Sequence, residues 1–278
     1  MLERNTHFTS LYQTIILKYH MEENKLICEH ISVSRKQTWD SCQLAYKYRY
    51  HLKLVSEEPV QPYFGYGKLV HKIAEVYVEN QGKKPIEEIA SSCIKGEIVV
   101  EEGKPPFVLD TEYKRKLPEH IRNIKKISDT IGFDGELEWM FKYDMNPPDN
   151  HMITGVIDRL IIRGDKFFIL DYKTTKKGKW RKNASTIGKD LQLRCYARVV
   201  NKHFGAKPEN IRAALYYLDG GDLISTRFTE ESIMTAEQEL HETYKHIRST
   251  NPDDTYGKVG DQCRRCDWRK ICPAFRTS

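Results

Sequence analysis

The regular alternation of apolar and polar residues is densest between Gly135 and Lys173. Three runs there, GELEWMFKYD, HMITGVIDRLIIR and KFFILDYK, read as strands in quick succession. Arg163-Gly164-Asp165 makes a short turn between the last two, and a longer loop with Pro147-Pro148 separates the first two. Elsewhere the period lengthens. SRKQTWDSCQLAYKYRYHLK predicts one helix from a capping Ser34. GKLVHKIAEVYVEN predicts a second, with Leu69, Val70, Ile73, Val76 and Tyr77 at helical spacing. Residues 84–130 read as helical, with a break at Pro105-Pro106. A helix from about Ser185 to Phe204 follows the third strand, with Leu191, Leu193, Tyr196 and Val199 among its apolar positions. IRAALYYLDGGD then reads as a strand turning at Gly220-Gly221 into LISTRFT, and Thr229 can cap a helix over ESIMTAEQELHETYKHIRS. This order predicts an α/β fold with a central mixed sheet flanked by helices. The first thirty or so residues have no clear period and read as a peripheral extension.

Composition changes the picture in two places. The formal net charge is +6, with basic residues clustered in KTTKKGKWRK and RRCDWRK and more loosely at Lys47–Lys53. Such patches favour a polyanion partner, although a solvated lysine-rich loop is the commoner meaning of any one run. No apolar stretch is long enough to span a bilayer, and the start lacks a signal-peptide core, so an intracellular, cytoplasmic protein with no membrane partner is expected. There, seven cysteines are read for metal rather than for disulfides. Cys263, Cys266 and Cys272 stand close together in the tail. A tetrahedral thiolate site needs a fourth ligand, and Cys28, Cys42, Cys93 and Cys195 are available. By themselves four cysteines suit zinc.

The third strand ends in ILDYKTTKK, with Asp171 and Lys173 on one face. Charges at a strand end usually face solvent. Asp158, however, lies on the strand immediately before. Two carboxylates at one end of a sheet suit a hard divalent cation, Mg2+ or Mn2+. A lysine beside them can orient a water and offset charge on a phosphate.

G-V-I-D-R-L, a spacer and I-L-D-Y-K-T resemble the core of the PD-(D/E)XK nuclease superfamily, and more narrowly its RecB-like branch. His71 in GKLVHKIAEVY and the Gln192/Tyr196 pair in QLRCY fall in that branch's order. The resemblance implies a restriction-endonuclease-like core. His71, Asp158, Asp171 and the Tyr172 backbone carbonyl would ligate the metal, and Lys173 would position the attacking water. Gln192 and Tyr196 would order the site or the strand, and Glu138 matches a glutamate often present on the first strand. Iron–sulfur members, among them AddB-type nuclease domains and CRISPR-associated exonucleases, have one Cys before the core and C-x2-C-x5-C after it. On that pattern Cys42, Cys263, Cys266 and Cys272 would hold a [4Fe–4S] cluster joining the N- and C-terminal segments. Gln43 departs from the Pro that often follows the first of these cysteines.

The implied organisation is an extension over 1–33 and one nuclease domain over 34–278. That domain divides into a helical part (34–130), a core (131–228) and a C-terminal helix with a Cys-rich tail (229–278). The implied activity is metal-dependent DNA hydrolysis by a single-stranded DNA exonuclease in recombination, repair, phage DNA processing or CRISPR adaptation. Trp180, Arg181 and Lys182 can track a strand by stacking and charge. No P-loop sequence occurs, so a helicase, recombination or integrase partner would supply any motor. Two other classes compete. One is a DNA-binding adaptor subunit with secondary nuclease activity, and the other is a zinc-stabilised nucleic-acid-binding protein.

Overall fold

The computed structural model describes residues 25–56, 60–96, 98–100 and 105–276. These divide into two compact units. The smaller holds the described residues of 25–56, 146–151 and 240–276, and the larger those of 60–145 and 152–239.

In the larger unit β1 (Glu136–Asp144), β2 (Met152–Arg163), β3 (Lys166–Lys173), β4 (Ile211–Tyr217) and β5 (Asp222–Arg227) form a five-stranded sheet in sequence order. All neighbours are antiparallel except β3 and β4. A parallel pair requires a crossover, which here contains a helix over Leu191–Phe204. Asp190 caps that helix by accepting from the Leu193 N–H, so its start lies six residues beyond the expected Ser185.

The helices Pro62–Glu79, Ile86–Lys95 and Thr111–Ile131 precede the sheet. The first begins at a proline, whose missing N–H costs nothing in a first turn. It buries Tyr66, Leu69, Val70, Ile73, Ala74, Tyr77 and Val78, a stripe of helical period. That stripe packs with Ile121, Ile124 and Ile127 of the third helix and with Leu170, Tyr172, Ala214 and Tyr216 of the sheet. Strand alternation therefore turns Leu170 and Tyr172 into this core, and Asp171 and Lys173 to the opposite face.

In the smaller unit the single helix expected from Ser34 is divided. Val33–Ser41 is capped by Ser32, not Ser34, through the Arg35 N–H. Cys42 is extended (φ −167°, ψ 113°), and a new turn over Gln43–Tyr46 runs into a π-helical turn at Lys47–His51. The tail folds back on this segment. The Leu44 N–H donates to the Tyr256 carbonyl, Lys47 to the Pro252 carbonyl and Ser56 to the Asp267 carbonyl. Residues 1–24 of the expected extension lie outside the described residues. Its remainder is not peripheral, since Leu26, Cys28 and Ile31 are buried. The helix Glu230–Ser249 belongs by its first half to the larger unit and by its second to the smaller. No described helix is long and apolar enough to cross a membrane.

One contact between β1 and β2 is especially close. Gly155 faces Phe141 across the strands, and a Cβ there would meet the ring at 2.4 Å. Gly155→Ala should cost about 1–3 kcal/mol of stability by overpacking, and Phe141→Leu in the same chain should recover much of it. Urea titration of the two single variants and the double variant measures this. Additive losses would contradict the assigned contact.

Candidate active site

The strand registers bring three carboxylates into one row. Leu137 pairs with Arg159 and Trp139 with Ile157, so Glu138 falls opposite Asp158. The β2–β3 ladder ends at Arg159 and Leu170, and Asp158 and Asp171 follow directly beyond that pair. Like charges in that position repel, and burial worsens the repulsion. Glu138 also has φ +45°, a left-handed conformation costing a non-glycine residue roughly 1–3 kcal/mol.

His71, projecting from the helix Pro62–Glu79, meets this row. Its Nδ1 lies 3.5 Å from Asp158 Oδ1 and its Nε2 3.1 Å from the Tyr172 carbonyl. The other oxygen of Asp158 accepts from the Tyr172 N–H at 2.7 Å. Ligand atoms of His71, Glu138 and Asp158 lie within 4.8 Å of one another. Asp171 stands outside that trio. Its Oδ2 is 2.6 Å from the Lys173 ammonium yet, though buried, lacks a partner in hydrogen-bond geometry. Carboxylate oxygens and an imidazole so placed suit a hard divalent cation.

The charges follow from this packing. Burial pushes Asp171 up to about 6, against the pull of Lys173 and with the push of Asp158. Burial also raises Glu138, helped by the Asp158 charge. Asp158 itself is held low, because His71 more than offsets its burial. Burial would depress His71, but Asp158, with Asp171 behind it, lifts the imidazole to about 9. For Lys173 burial is likewise outweighed, by the Asp171 charge, and its pKa rises. Lys173 is thus a cation at neutral pH rather than a base.

A hydrogen-bonded chain holds that cation. Lys173 Nζ donates to Gln192 Oε1 at 3.0 Å, Gln192 Nε2 donates to the Tyr196 hydroxyl at 2.7 Å, and Tyr196 donates to the Val156 carbonyl. Lysine only donates, which fixes the orientation of the amide. Gln192 and Tyr196 share one helix face at i, i+4, so a helix-periodic reading can find the pair.

The other expected residues divide. Trp180 is exposed. Arg181 is held by Asp222 at 2.8 Å, by the Thr175 carbonyl and by Asp219, and lies over the Tyr217 ring. Its guanidinium therefore braces the loop after β3. Lys182 approaches Asp190 at 3.8 Å. In the smaller unit, burial raises the Tyr48 hydroxyl, and charges on Cys272, Cys42 and Cys266 add to the effect. Burial likewise raises the Cys266 thiol, with Cys42 and Cys263 contributing. These thiols share a neighbourhood, but among the described residues no three cysteine sulfurs lie within 4.8 Å of one another. Cys28 and Cys195 are buried, and Cys28 donates to the His30 carbonyl. The sequence reading missed a groove running from the site past Tyr63, Phe64 and Gly67, which no motif marks.

Cation binding at this site should be linked to protons. A ligating imidazole must be neutral, yet His71 holds its proton up to about pH 9. Manganese binding at pH 7.5 should therefore release roughly one proton, and affinity should rise with pH between 6 and 9. Below about 6 the slope should steepen, because Asp171 must also lose a proton. Calorimetry in two buffers of different ionisation enthalpy reads the release. Binding without proton release would contradict ligation by His71.

Comparisons with known proteins bear on this geometry. A search of curated proteins finds no match. The crystal structure of SSO0001 is similar at 16% identity and a TM-score of 0.37, covering 83% of this chain and 94% of that one, a score too low to support fold or function. The family model of the PD-(D/E)XK nuclease superfamily matches residues 30–273, a span that includes His71, the carboxylate row, Lys173 and the Gln192–Tyr196 pair. The chain belongs to the PD-(D/E)XK nuclease superfamily.

Proposed function

We propose that the protein is a metal-dependent deoxyribonuclease that digests single-stranded DNA from a free end. The observation carrying this reading is the row Glu138–Asp158–Asp171 with a permanently charged Lys173 beside it. His71, Glu138, Asp158, Asp171 and the Tyr172 carbonyl would hold Mg2+ or Mn2+. A divalent cation there supplies charge neutralisation at the phosphate and lowers the pKa of water. Lys173, kept protonated by Asp171, orients the attacking water and offsets the charge that grows on the phosphate oxygens. Water attacks phosphorus and gives up a proton to solvent, the P–O bond to the leaving nucleoside breaks, and the leaving oxygen takes a proton from solvent. Gln192 and Tyr196 act through Lys173 and are positioning residues.

Lys173→Ala should abolish cleavage of end-labelled single strands while the chain still binds manganese, since the lost interaction acts on the transition state. Tyr196→Phe should lower kcat about tenfold with little change in KM, the worth of roughly one good hydrogen bond in the Lys173 support. Tyr216→Phe is the control. Retained activity in Lys173→Ala would overturn the mechanism. Comparing linear with circular single strands tests the need for an end.

Cys42, Cys263, Cys266 and Cys272 are the proposed holders of a [4Fe–4S] cluster. Supporting this are the break in the helix at Cys42 and the proximity of these thiols to Tyr48 and to one another. Anaerobically purified protein should be brown, with iron and sulfide in equal amounts. Each of Cys42→Ser, Cys263→Ser, Cys266→Ser and Cys272→Ser should lose the colour, whereas Cys28→Ser, Cys93→Ser and Cys195→Ser should keep it. Stoichiometric zinc without iron would overturn the assignment.

A further inference from the structure

The helix Pro62–Glu79 contains two glycines, and only one is explained by packing. A Cβ on Gly65 would meet the Phe107 ring at 2.3 Å. A Cβ on Gly67 would meet nothing within 4 Å. Glycine inside a helix costs about 1 kcal/mol relative to alanine, and no packing contact among the described residues recovers that at Gly67. Such a residue is used where something else approaches the backbone closely.

Gly67 lies in the floor of a groove of about 1120 Å³ that also takes in His71, Glu138 and Lys173. Tyr63, Gly67 and His71 are spaced i, i+4, i+8, so they follow one helix face over two turns, about 12 Å. At the outer end Tyr63 and Phe64 have ring centroids 4.4 Å apart. Both are exposed, at 40% and 51%. The groove thus runs from an uncovered aromatic pair, over an open stretch of helix backbone, to the reactive groups.

We propose that this groove seats the end of a DNA single strand, with its backbone crossing the helix at Gly67 and its bases stacking on Tyr63 and Phe64. The proposal rests on the nuclease reading of the site and adds to it the basis of single-strand selection. Exposed aromatic rings beside a backbone track are how single strands are held without regard to sequence. A duplex keeps its bases stacked on each other and offers those rings no free face. The groove wall supports the same occupant. Lys68 is held against the Val99 and Val100 carbonyls at 3.1 and 2.9 Å, which fixes a cation along the track.

The test uses the full chain carrying Lys173→Ala, so that binding is read apart from cleavage. The probe is a fluorescein-labelled oligothymidylate of about 12 nucleotides, within the span such grooves hold, compared with a duplex of equal length by anisotropy with manganese present. Gly67→Leu fills the floor at a position where a Cβ meets nothing among the described residues, and should melt no lower than the parent. Tyr63→Ala with Phe64→Ala removes the stacking faces. Each change should weaken single-strand binding about tenfold or more and leave duplex binding unchanged. A 5-iodouracil probe should cross-link to Tyr63 or Phe64. Undiminished single-strand affinity in both variants, or no single-strand binding by the parent, would overturn the proposal. If strand binding depends on the groove but the chain with Lys173 intact cleaves nothing, the nuclease reading fails and the groove stands. If that chain cleaves and Gly67→Leu neither binds nor cleaves less well, the groove fails and the nuclease reading stands.

Discussion

Glu138, Asp158 and Asp171 share one row across three neighbouring strands, and much of the larger unit answers to the repulsion among them. Like charges on neighbouring strands are unfavourable on a wet sheet and worse in a buried one. The protein meets this in three ways. His71 arrives protonated from the helix Pro62–Glu79, Lys173 stands against Asp171, and Glu138 takes a strained backbone. Burial still pushes Asp171 up to about 6. Carboxylates and an imidazole gathered in this way suit a divalent cation.

The scaffold divides the work between its two helical layers. The helices before the sheet bury Leu170 and Tyr172, which turns Asp171 and Lys173 the other way. The crossover helix is then on the correct side to hold Lys173 through Gln192 and Tyr196, and Tyr196 anchors on the Val156 carbonyl of β2. The parallel β3–β4 pair is what demands a helix there. A requirement of chain connection therefore also supplies a requirement of the chemistry.

The smaller unit closes by ordinary hydrogen bonds. Leu44, Lys47 and Ser56 each bond to carbonyls of the tail, more than two hundred residues later. Cys42 lies at the helix break within this closure, and the break frees its side chain from the helical repeat. A metal or cluster bound by these thiols would reinforce a fold that the backbone already joins.

What the sequence determined by itself was periodic or local. Apolar runs bounded by turn residues located β1, β2 and β3, and the motif GVIDRL…ILDYKT with His71 and Gln192–Tyr196 named residues that meet at the site. Helix limits were less legible, because caps compete locally. Ser32 and Asp190 hold the starts that Ser34 and Ser185 were expected to mark. Register was not legible at all, since a strand shows which residues share a face but not which partner each will meet. The tertiary structure alone decided that Glu138 falls opposite Asp158, and that Arg181 braces a loop instead of facing outward. It alone left Gly67 open above a groove while Gly65, two residues earlier, is packed against Phe107. The two glycines are identical in sequence, and only their distant neighbours, brought close by folding, distinguish a packing contact from a free surface.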